Sequence, residues 1–243
     1  MPECAFCDHT GKLSNEHIVS EWMRALFPHK LHVSFGKKNW KTTNSVDYKA
    51  KTVCETCNNT WMSRIETDHA QPILTPLVTG KLGIPIRLEE ARSIALFAYK
   101  TAIVLDYAKF RNSSPFFERD IRHLFKNTLG IPDNVRMWLC GYAGNRGGGR
   151  LTSAYYRAQV SPTNTFQMYV CTCAFGSFVF QVVAVKEMTE PVHCRPSGSF
   201  ESLAVPFWHE LPRGFVWPPR DALRSKAQFY DFAYRWKTLH LYE

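Results

Sequence analysis

The sequence carries two matched cysteine pairs, CAFC at residues 4–7 and CETCN at residues 54–58, with SNEHI at residues 14–18 between them. Each C-x-x-C pair presents two thiolates to one ion, and two such pairs complete a tetrahedral zinc site. Eight cysteines in a chain that opens without a recognisable signal peptide favour metal binding or buried thiols over disulfides. The ligands that we expect for a structural zinc ion are Cys4, Cys7, Cys54 and Cys57.

The other four cysteines, Cys140, Cys171, Cys173 and Cys194, follow no ligand spacing. Cys171 and Cys173 are two residues apart in a predicted strand, so their side chains point to the same face. We interpret them as ordinary strand residues.

Length and composition indicate a folded protein. The chain has 243 residues, of which 45% are hydrophobic and 14% aromatic, so it can build a core for one large domain or two small ones. Its net charge is +9, and residues 76–243 hold 21 of the 30 basic side chains but only 13 of the 21 acidic ones. This surplus fits a polyanionic partner, although a surface kept soluble by Lys and Arg explains it equally well.

The order of predicted elements favours an α+β protein with two parts. Residues 1–75 predict a zinc knuckle, extended segments at 32–43 and 49–54, and a helix over 55–68. Proline and glycine punctuate residues 71–85, where we expect the boundary to a second domain spanning residues 76–243.

The second part predicts helices first and an antiparallel sheet later. We expect helices over 88–110, 118–126 and 221–236, and strands over 136–142, 151–160, 165–174 and 177–186. The uncharged stretch 158–185 is long enough to suggest a membrane span, but polar residues, proline and glycine interrupt it. We interpret it as a hairpin that turns at Phe175 and Gly176, and we expect no membrane association.

The order C-x-x-C, Glu16-His17-Ile18, C-x-x-C-Asn58 resembles the zinc-knuckle branch of the HNH endonucleases, in which an acidic residue precedes the first His and Asn replaces the last His. The resemblance covers residues 4–66, about a quarter of the chain. It implies an N-terminal ββα-metal module, in which a β-hairpin packs on a helix around one divalent cation.

Carried over position by position, the resemblance implies three roles. Glu16 and Asn58 match the ligands of a catalytic Mg²⁺ or Mn²⁺ ion, and His17 matches the general base that activates water. The residue types suit this chemistry, because carboxylate and amide oxygens are hard donors and neutral imidazole accepts a proton near neutral pH. Because Glu16 and His17 are adjacent in a strand, a bend or bulge has to re-aim one of them.

One position departs from the family pattern. The family commonly has a middle Asn about nine residues before the Asn58 position, where it orients the general base, and this sequence has Lys49 there. Asn44 and Asp47 lie nearby but out of register. We expect Glu66 to be an exposed helical residue, with a water-mediated contact to the catalytic ion as the alternative.

Three hypotheses about the function are consistent with the sequence. The first is a cytoplasmic, metal-dependent endonuclease that hydrolyses phosphodiester bonds, with DNA as the expected substrate. The second is a catalytically idle zinc module that only binds nucleic acid. The third is the nuclease subunit of an anti-phage or toxin system, controlled by a regulatory protein partner.

Overall fold

The computed structural model describes residues 2–27, 30–35, 38–43, 48–110, 114–144, 148–161, 164–186, 192–208, 214–218 and 221–240. Its first elements are β1 (Ser14–His17), α1 (Glu21–Leu26), β2 (Leu31–Phe35), β3 (Lys38–Thr43) and β4 (Lys49–Val53). An uninterrupted helical run follows, made of α2 (Glu55–Cys57), two π-helical segments (Asn58–Met62 and Ile65–Ala70) and α3 (Gln71–Val78).

The remaining elements alternate between short strands, long strands and helices. They are β5 (Ile84–Ile86), α4 (Leu88–Phe110), α5 (Arg119–Thr128), β6 (Val135–Tyr142), β7 (Gly149–Ser161), β8 (Asn164–Phe175), β9 (Phe178–Lys186), β10 (Val192–Pro196), a 3₁₀ turn (Gly198–Phe200), β11 (Val205–Trp208), β12 (Phe215–Trp217), β13 (Ala222–Leu223), α6 (Lys226–Tyr234) and β14 (Trp236–His240).

The largest sheet orders its strands β11-β6-β9-β8-β7-β2-β3, with β13 beside β6. The β6–β9, β9–β8 and β8–β7 pairs are antiparallel, whereas β2–β7 and β13–β6 are parallel. Three two-stranded sheets, β1–β4, β5–β12 and β10–β14, complete the described pairings. The expected α+β class is confirmed, and the large sheet is mixed where we expected an antiparallel one.

Both faces of the large sheet are covered, as β9 shows most clearly. Phe178, Phe180 and Val182 point into the core shared with α4, while Val179 and Val183 point into a second core under α6. Alternation with a period of two places successive side chains on opposite faces, so a strand buried on both sides is apolar throughout. The buried side chain of Gln181 ties α6 to the sheet, since its amide donates to the carbonyl oxygen of Phe232 in α6 at 3.2 Å and to the hydroxyl of Thr172 in β8 at 2.8 Å.

The hairpin predicted over 165–186 is confirmed as β8 and β9, which are joined by a tight turn. Gly176 in this turn has φ of +55°, a conformation that favours glycine. A Cβ atom there would come within 2.1 Å of the carbonyl oxygen of Val78, so the turn can press against the end of α3 only because the residue has no side chain.

Helix α4 has the bounds predicted from its sequence and lies at the centre of the molecule. Its side chains are buried over most of its length because it packs between the N-terminal part and the large sheet. Phe97, for example, meets Phe180 of β9 edge to face, with ring centroids 6.1 Å apart.

Packing continues across residue 75. The helical run that begins at Glu55 extends to Val78, past the end at residue 68 that we predicted, and β2 joins the large sheet beside β7. One hydrophobic core includes residues from Cys4 to Trp217. The guanidinium of Arg122 also donates to the carbonyl oxygen of Ala5 at 2.6 Å. The division at residues 75 and 76 stays a prediction, and the two parts share one core.

None of the helices in the described ranges is both long enough and apolar enough to cross a membrane.

Substitution in α4 tests the central position of this helix. Phe97→Ala removes a fully buried ring and is expected to lower the free energy of unfolding by about 3–5 kcal/mol. Leu88→Ala, at a side chain that is 59% exposed on the same helix, is expected to change it by no more than about 0.5 kcal/mol. Urea denaturation of both variants measures the difference. Equal losses would contradict the packing described here.

Candidate metal centre and active site

Four thiols from the two C-x-x-C pairs meet at one point. The Sγ atoms of Cys4, Cys7, Cys54 and Cys57 all lie within 4.8 Å of one another. The Cys7–Cys54 and Cys7–Cys57 sulfur pairs are each 3.7 Å apart, too far for a disulfide, which needs about 2.05 Å. Four sulfurs bound to zinc at about 2.3 Å form a tetrahedron with edges of about 3.8 Å. The cluster therefore has the dimensions of a four-thiolate metal site and can hold an ion such as zinc.

Backbone amides donate to two sulfurs of the cluster. The amide of Cys54 donates to the Sγ atom of Cys4 at 3.3 Å, and the amide of Cys57 donates to the Sγ atom of Cys54 at 3.5 Å. A hydrogen bond from the Cys57 thiol holds the pKa of Cys4 well below its usual range, whereas the same hydrogen bond raises the pKa of Cys57 and burial raises the pKa of Cys7. Cys54 is the N-cap of α2, so the turn from β4 into this helix places its sulfur next to the backbone amide of Cys57.

A cluster of aromatic rings packs against the first C-x-x-C pair. Phe6, which lies between the first two cysteines, packs edge to face on Trp61 of the helical run at 5.0 Å between ring centroids. Trp61 meets Phe125 of α5 at 5.7 Å, and Phe125 meets Tyr99 of α4 at 4.9 Å. These contacts fix both knuckles against α4 and α5, so the metal cluster is held by the second part of the chain as well as by its own loops.

Strand β1 carries the Glu16-His17 pair and runs antiparallel to β4, with Glu16 opposite Ala50 and His17 opposite Lys49. The register shifts between Ser14 and Glu16, where three steps along β4 match two along β1. Glu16 and His17 themselves pair in regular register, so this shift does not re-aim one of them relative to the other, and the bend that we expected between them stays a prediction. Glu16 is 3% exposed, whereas His17 is half-buried, and the two side chains therefore lie in different surroundings.

Asn58 lies one residue beyond the metal cluster. It begins the first π-helical segment, and its side chain is half-buried. Its backbone amide donates to the backbone carbonyl oxygen of Cys54 at 3.0 Å. Cys54 directly follows β4 and precedes α2, so four residues separate the end of the strand that pairs with β1 from Asn58.

A buried ammonium group joins the candidate site to α4. The Nζ atom of Lys100 lies 3.5 Å from a carboxylate oxygen of Glu16 and forms a shorter ion pair with Glu66. Lys100 is completely buried, and the Glu66 side chain is 15% exposed. Our expectation that Glu66 would be an exposed helical residue is therefore wrong. It lies two helical turns beyond Asn58 and faces the interior, where Lys100 provides its partner.

Burial is the largest single influence on the pKa values of Glu16 and Lys100. Loss of solvent raises the pKa of Glu16 to about 7, against the lowering effect of the Lys100 charge, and repulsion from Glu66 adds to the increase. Burial by itself lowers the pKa of Lys100, but the two carboxylates outweigh it and the net shift is upward. Lys100 is therefore the fixed cation of the group, and Glu16 is the carboxyl whose charge depends most on an additional positive partner.

Glu16 and Asn58 carry a carboxylate and an amide oxygen, the donor types that a hard divalent cation prefers. Within the described ranges, the four cysteines are the only cluster of three or more His, Cys, Asp or Glu ligands. The catalytic cation that the HNH resemblance implies therefore stays a prediction.

Lys49 occupies the position of the family's middle Asn, and the structure places it directly across the β1–β4 pair from His17. Next to it, the carbonyl oxygen of Tyr48 accepts from the amide of Ile18 at 2.8 Å. Backbone pairing with β4 thus fixes the strand on both sides of His17. Asn44 and Asp47 lie outside the described residues.

Sequence reasoning missed Lys100, although a signal for it was present. Residues 94–105 of α4 are apolar or small except for Lys100 and Thr101, and a charged residue in a helix that is buried on most sides needs a buried partner. Asp106, six residues further along α4, is also a buried charged residue with partners. It accepts a hydrogen bond from the amide of Phe117 at 3.0 Å and another from the hydroxyl of Tyr155.

The chain matches no protein-family model, no curated protein and no solved structure. No relative therefore indicates what the metal cluster and the residues beside it do.

Metal content tests the cysteine cluster. Protein purified without chelator is expected to contain about one equivalent of zinc, and Cys54→Ser is expected to lose it and to reduce the soluble yield, since the ion ties together distant segments. Cys140→Ser, at a buried cysteine outside the cluster, is the matched control and should keep the zinc. Less than about half an equivalent in the parent protein, where one site is expected, would contradict the site.

Replacement of Lys100 tests the buried ion pairs. Lys100→Met keeps the length of the side chain but leaves Glu16 and Glu66 without their cation, at an expected cost of about 3–5 kcal/mol in unfolding free energy. Adding Glu16→Gln and Glu66→Gln to Lys100→Met should recover much of this loss because no charge then stays buried.

The matched control is Arg92→Met, which removes an exposed cation from the same helix and should change stability by no more than about 0.5 kcal/mol. Thermal or urea unfolding gives the comparison. If Lys100→Met were as stable as Arg92→Met, the ion pairs would not contribute to the fold.

Proposed function

We propose that this protein is a metal-dependent endonuclease of the HNH type, with DNA as its expected substrate. The observation that carries the proposal is the connection of β1 and β4 through the four-thiol cluster to the helix of Asn58. β1 pairs antiparallel with β4, and the helical run that contains Asn58 follows β4. A strand pair followed by a helix is what the ββα-metal resemblance leads us to expect, while α1, β2 and β3 separate the two strands in sequence.

In this proposal the two metals have separate duties. Zinc in the four-cysteine cluster holds the knuckles and has no free coordination position, as in other structural sites with four thiolates. Glu16 and Asn58 hold Mg²⁺ or Mn²⁺, which when bound supplies Lewis-acid stabilisation of the charge that develops on the phosphate and the leaving oxygen.

His17 acts as the general base. Its half-buried imidazole takes a proton from a water molecule, whose oxygen forms a bond to phosphorus while the bond from phosphorus to the 3′ oxygen breaks. The 3′ oxygen leaves as an alkoxide and takes a proton from solvent water, and His17 returns its proton to solvent, so the products are a 5′ phosphate and a 3′ hydroxyl. Backbone pairing with β4 fixes the strand that carries His17.

The Lys100 group supports the ligand role of Glu16. A carboxylate anchored at one oxygen by a buried ammonium has little freedom to rotate, and an immobile ligand loses little entropy when a cation binds. The basic surplus of residues 76–243 supports the choice of a nucleic acid, because lysine and arginine neutralise phosphates irrespective of sequence. The described cysteines are all unpaired, which favours a reducing, cytoplasmic setting.

A specific observation favours the alternative of an idle zinc module that only binds nucleic acid. Lys100 already provides Glu16 with a positive partner, and Lys49 stands where the family has its middle Asn. If the ammonium fully replaces the catalytic ion, the fold is retained without hydrolysis. Control by a regulatory protein partner, as in an anti-phage or toxin system, is compatible with either activity.

A plasmid-nicking assay separates the two candidates. The parent protein is expected to cut DNA with Mg²⁺ or Mn²⁺ present and to be inactive without either. His17→Ala is expected to lower the rate by about 10²- to 10⁴-fold, the usual contribution of a positioned base, while zinc content and DNA affinity stay at the parent level.

The matched control is His69→Ala, at an exposed histidine of the helical run that contains Asn58, and this variant should cut as the parent does. Glu16→Ala and Asn58→Ala should be partly rescued by excess Mn²⁺, whereas His17→Ala should not. A His17→Ala protein that cuts at the parent rate in the same metal would exclude this site as the nuclease centre and leave the binding module.

A further inference from the structure

A groove of about 450 Å³ lies between β2 and α6, away from the candidate active site. His32 and Ser34 form its β2 side, and Lys226, Tyr230 and Tyr234 form its α6 side. Leu31 and Val33 of β2 point into the core shared with α4, so by strand alternation His32 and Ser34 point to the opposite face of the sheet. The groove is thus on the face covered by α6, and Lys100 with its carboxylates is on the other.

The groove has an excess of positive charge. Lys226 lines it, and Lys30 and Arg150 act with Lys226 on the His32 ring, whose pKa is lowered by burial and by these three cations. The acidic lining residue, Asp231, is already paired with Arg235 at 3.2 Å.

Arg150 stands opposite His32 in the parallel β2–β7 pair and is a neighbour of the groove's lining residues. Its Nε and Nη1 atoms are buried and make no hydrogen bond within the part of the chain that the structure describes. A guanidinium buried without a full set of acceptors is costly, and an anion in the groove would lower that cost.

The groove also carries aromatic rings. Tyr230 and Tyr234 are one helical turn apart, with ring planes 6° from parallel and centroids 6.0 Å apart. The ammonium of Lys226 lies over the Tyr230 ring at 5.8 Å from its centroid. Hydroxyl groups of Thr152 and Ser34 hold the hydroxyl of Tyr234, so this ring is fixed from the sheet side.

We propose that this groove is a nucleotide-binding site, in which the cations receive a phosphate and a tyrosine ring stacks on the base. Its volume falls within the usual range for small-ligand pockets, about 300–1,000 Å³. Tyrosine rings stack on any base, and lysine and arginine are the common partners of phosphate. The same chemistry serves a free nucleotide and the terminal nucleotide of a strand. The site is independent of the hydrolytic centre proposed above.

Calorimetric titration of the full-length protein, without added Mg²⁺ or Mn²⁺, tests this inference with four probes: AMP, adenosine, inorganic phosphate and a short 5′-phosphorylated oligothymidine. AMP is expected to bind at least about tenfold more tightly than adenosine or phosphate, because base and phosphate contacts combine. Binding of the oligothymidine alone would identify the end of a strand as the source of the nucleotide.

Variants locate the binding in the groove. The double variant Lys30→Glu with Lys226→Glu is expected to lower the affinity for the probe that binds by at least about tenfold. Tyr230→Leu should lower the affinity for AMP without changing the affinity for phosphate. Lys81→Glu with Arg92→Glu, at two exposed residues that do not line the groove, is the control for net charge. The inference is overturned if none of the probes binds, if phosphate alone binds as tightly as AMP, or if the groove variants bind as the control does.

Discussion

A completely buried ammonium group cannot persist without partners, and in this protein that requirement determines how three elements meet. Lys100 lies in the middle of α4, and the carboxylates that satisfy it come from β1 and from the helical run that follows β4. Removal of a charge from water costs several kcal/mol, so Glu16 and Glu66 have to face Lys100 for the fold to be stable. The candidate ligand Glu16 therefore owes its position to a residue 84 places away in sequence.

The four-thiol cluster acts on the same elements from the other side. It joins residues near the start of the chain to the turn between β4 and α2, while aromatic contacts from Phe6 to Phe125 press the first knuckle onto α5. Between these two constraints, β1 can shift neither along β4 nor away from the helix. His17 and Asn58 adjoin this region in sequence, and both side chains are half-buried.

Local patterns in the sequence predicted most elements, because their causes are local. The apolar run of α4, the hairpin of β8 and β9 and the spacing of the four cysteines each lie within one segment or one motif, and the structure contains them. The sequence did not predict the parallel pairing of β2 with β7, the continuation of the helix through Pro72 and Pro76, or the inward direction of Glu66. Those features depend on contacts between distant segments. Lys100 is an intermediate case, since its apolar surroundings showed that it needed a partner but not which residue would provide it.

Crystals grown with Mn²⁺ test most directly the proposal that Glu16 and Asn58 hold a divalent cation beside a separate zinc cluster. Anomalous scattering distinguishes the two metals and locates each one. Zinc is expected among the four cysteine sulfurs, and manganese in contact with the Glu16 carboxylate and the Asn58 amide oxygen. Zinc at the cysteines with no manganese at Glu16, and the Glu16 carboxylate bound to Lys100 alone, would contradict the proposal and identify the ammonium as the only cation of the site.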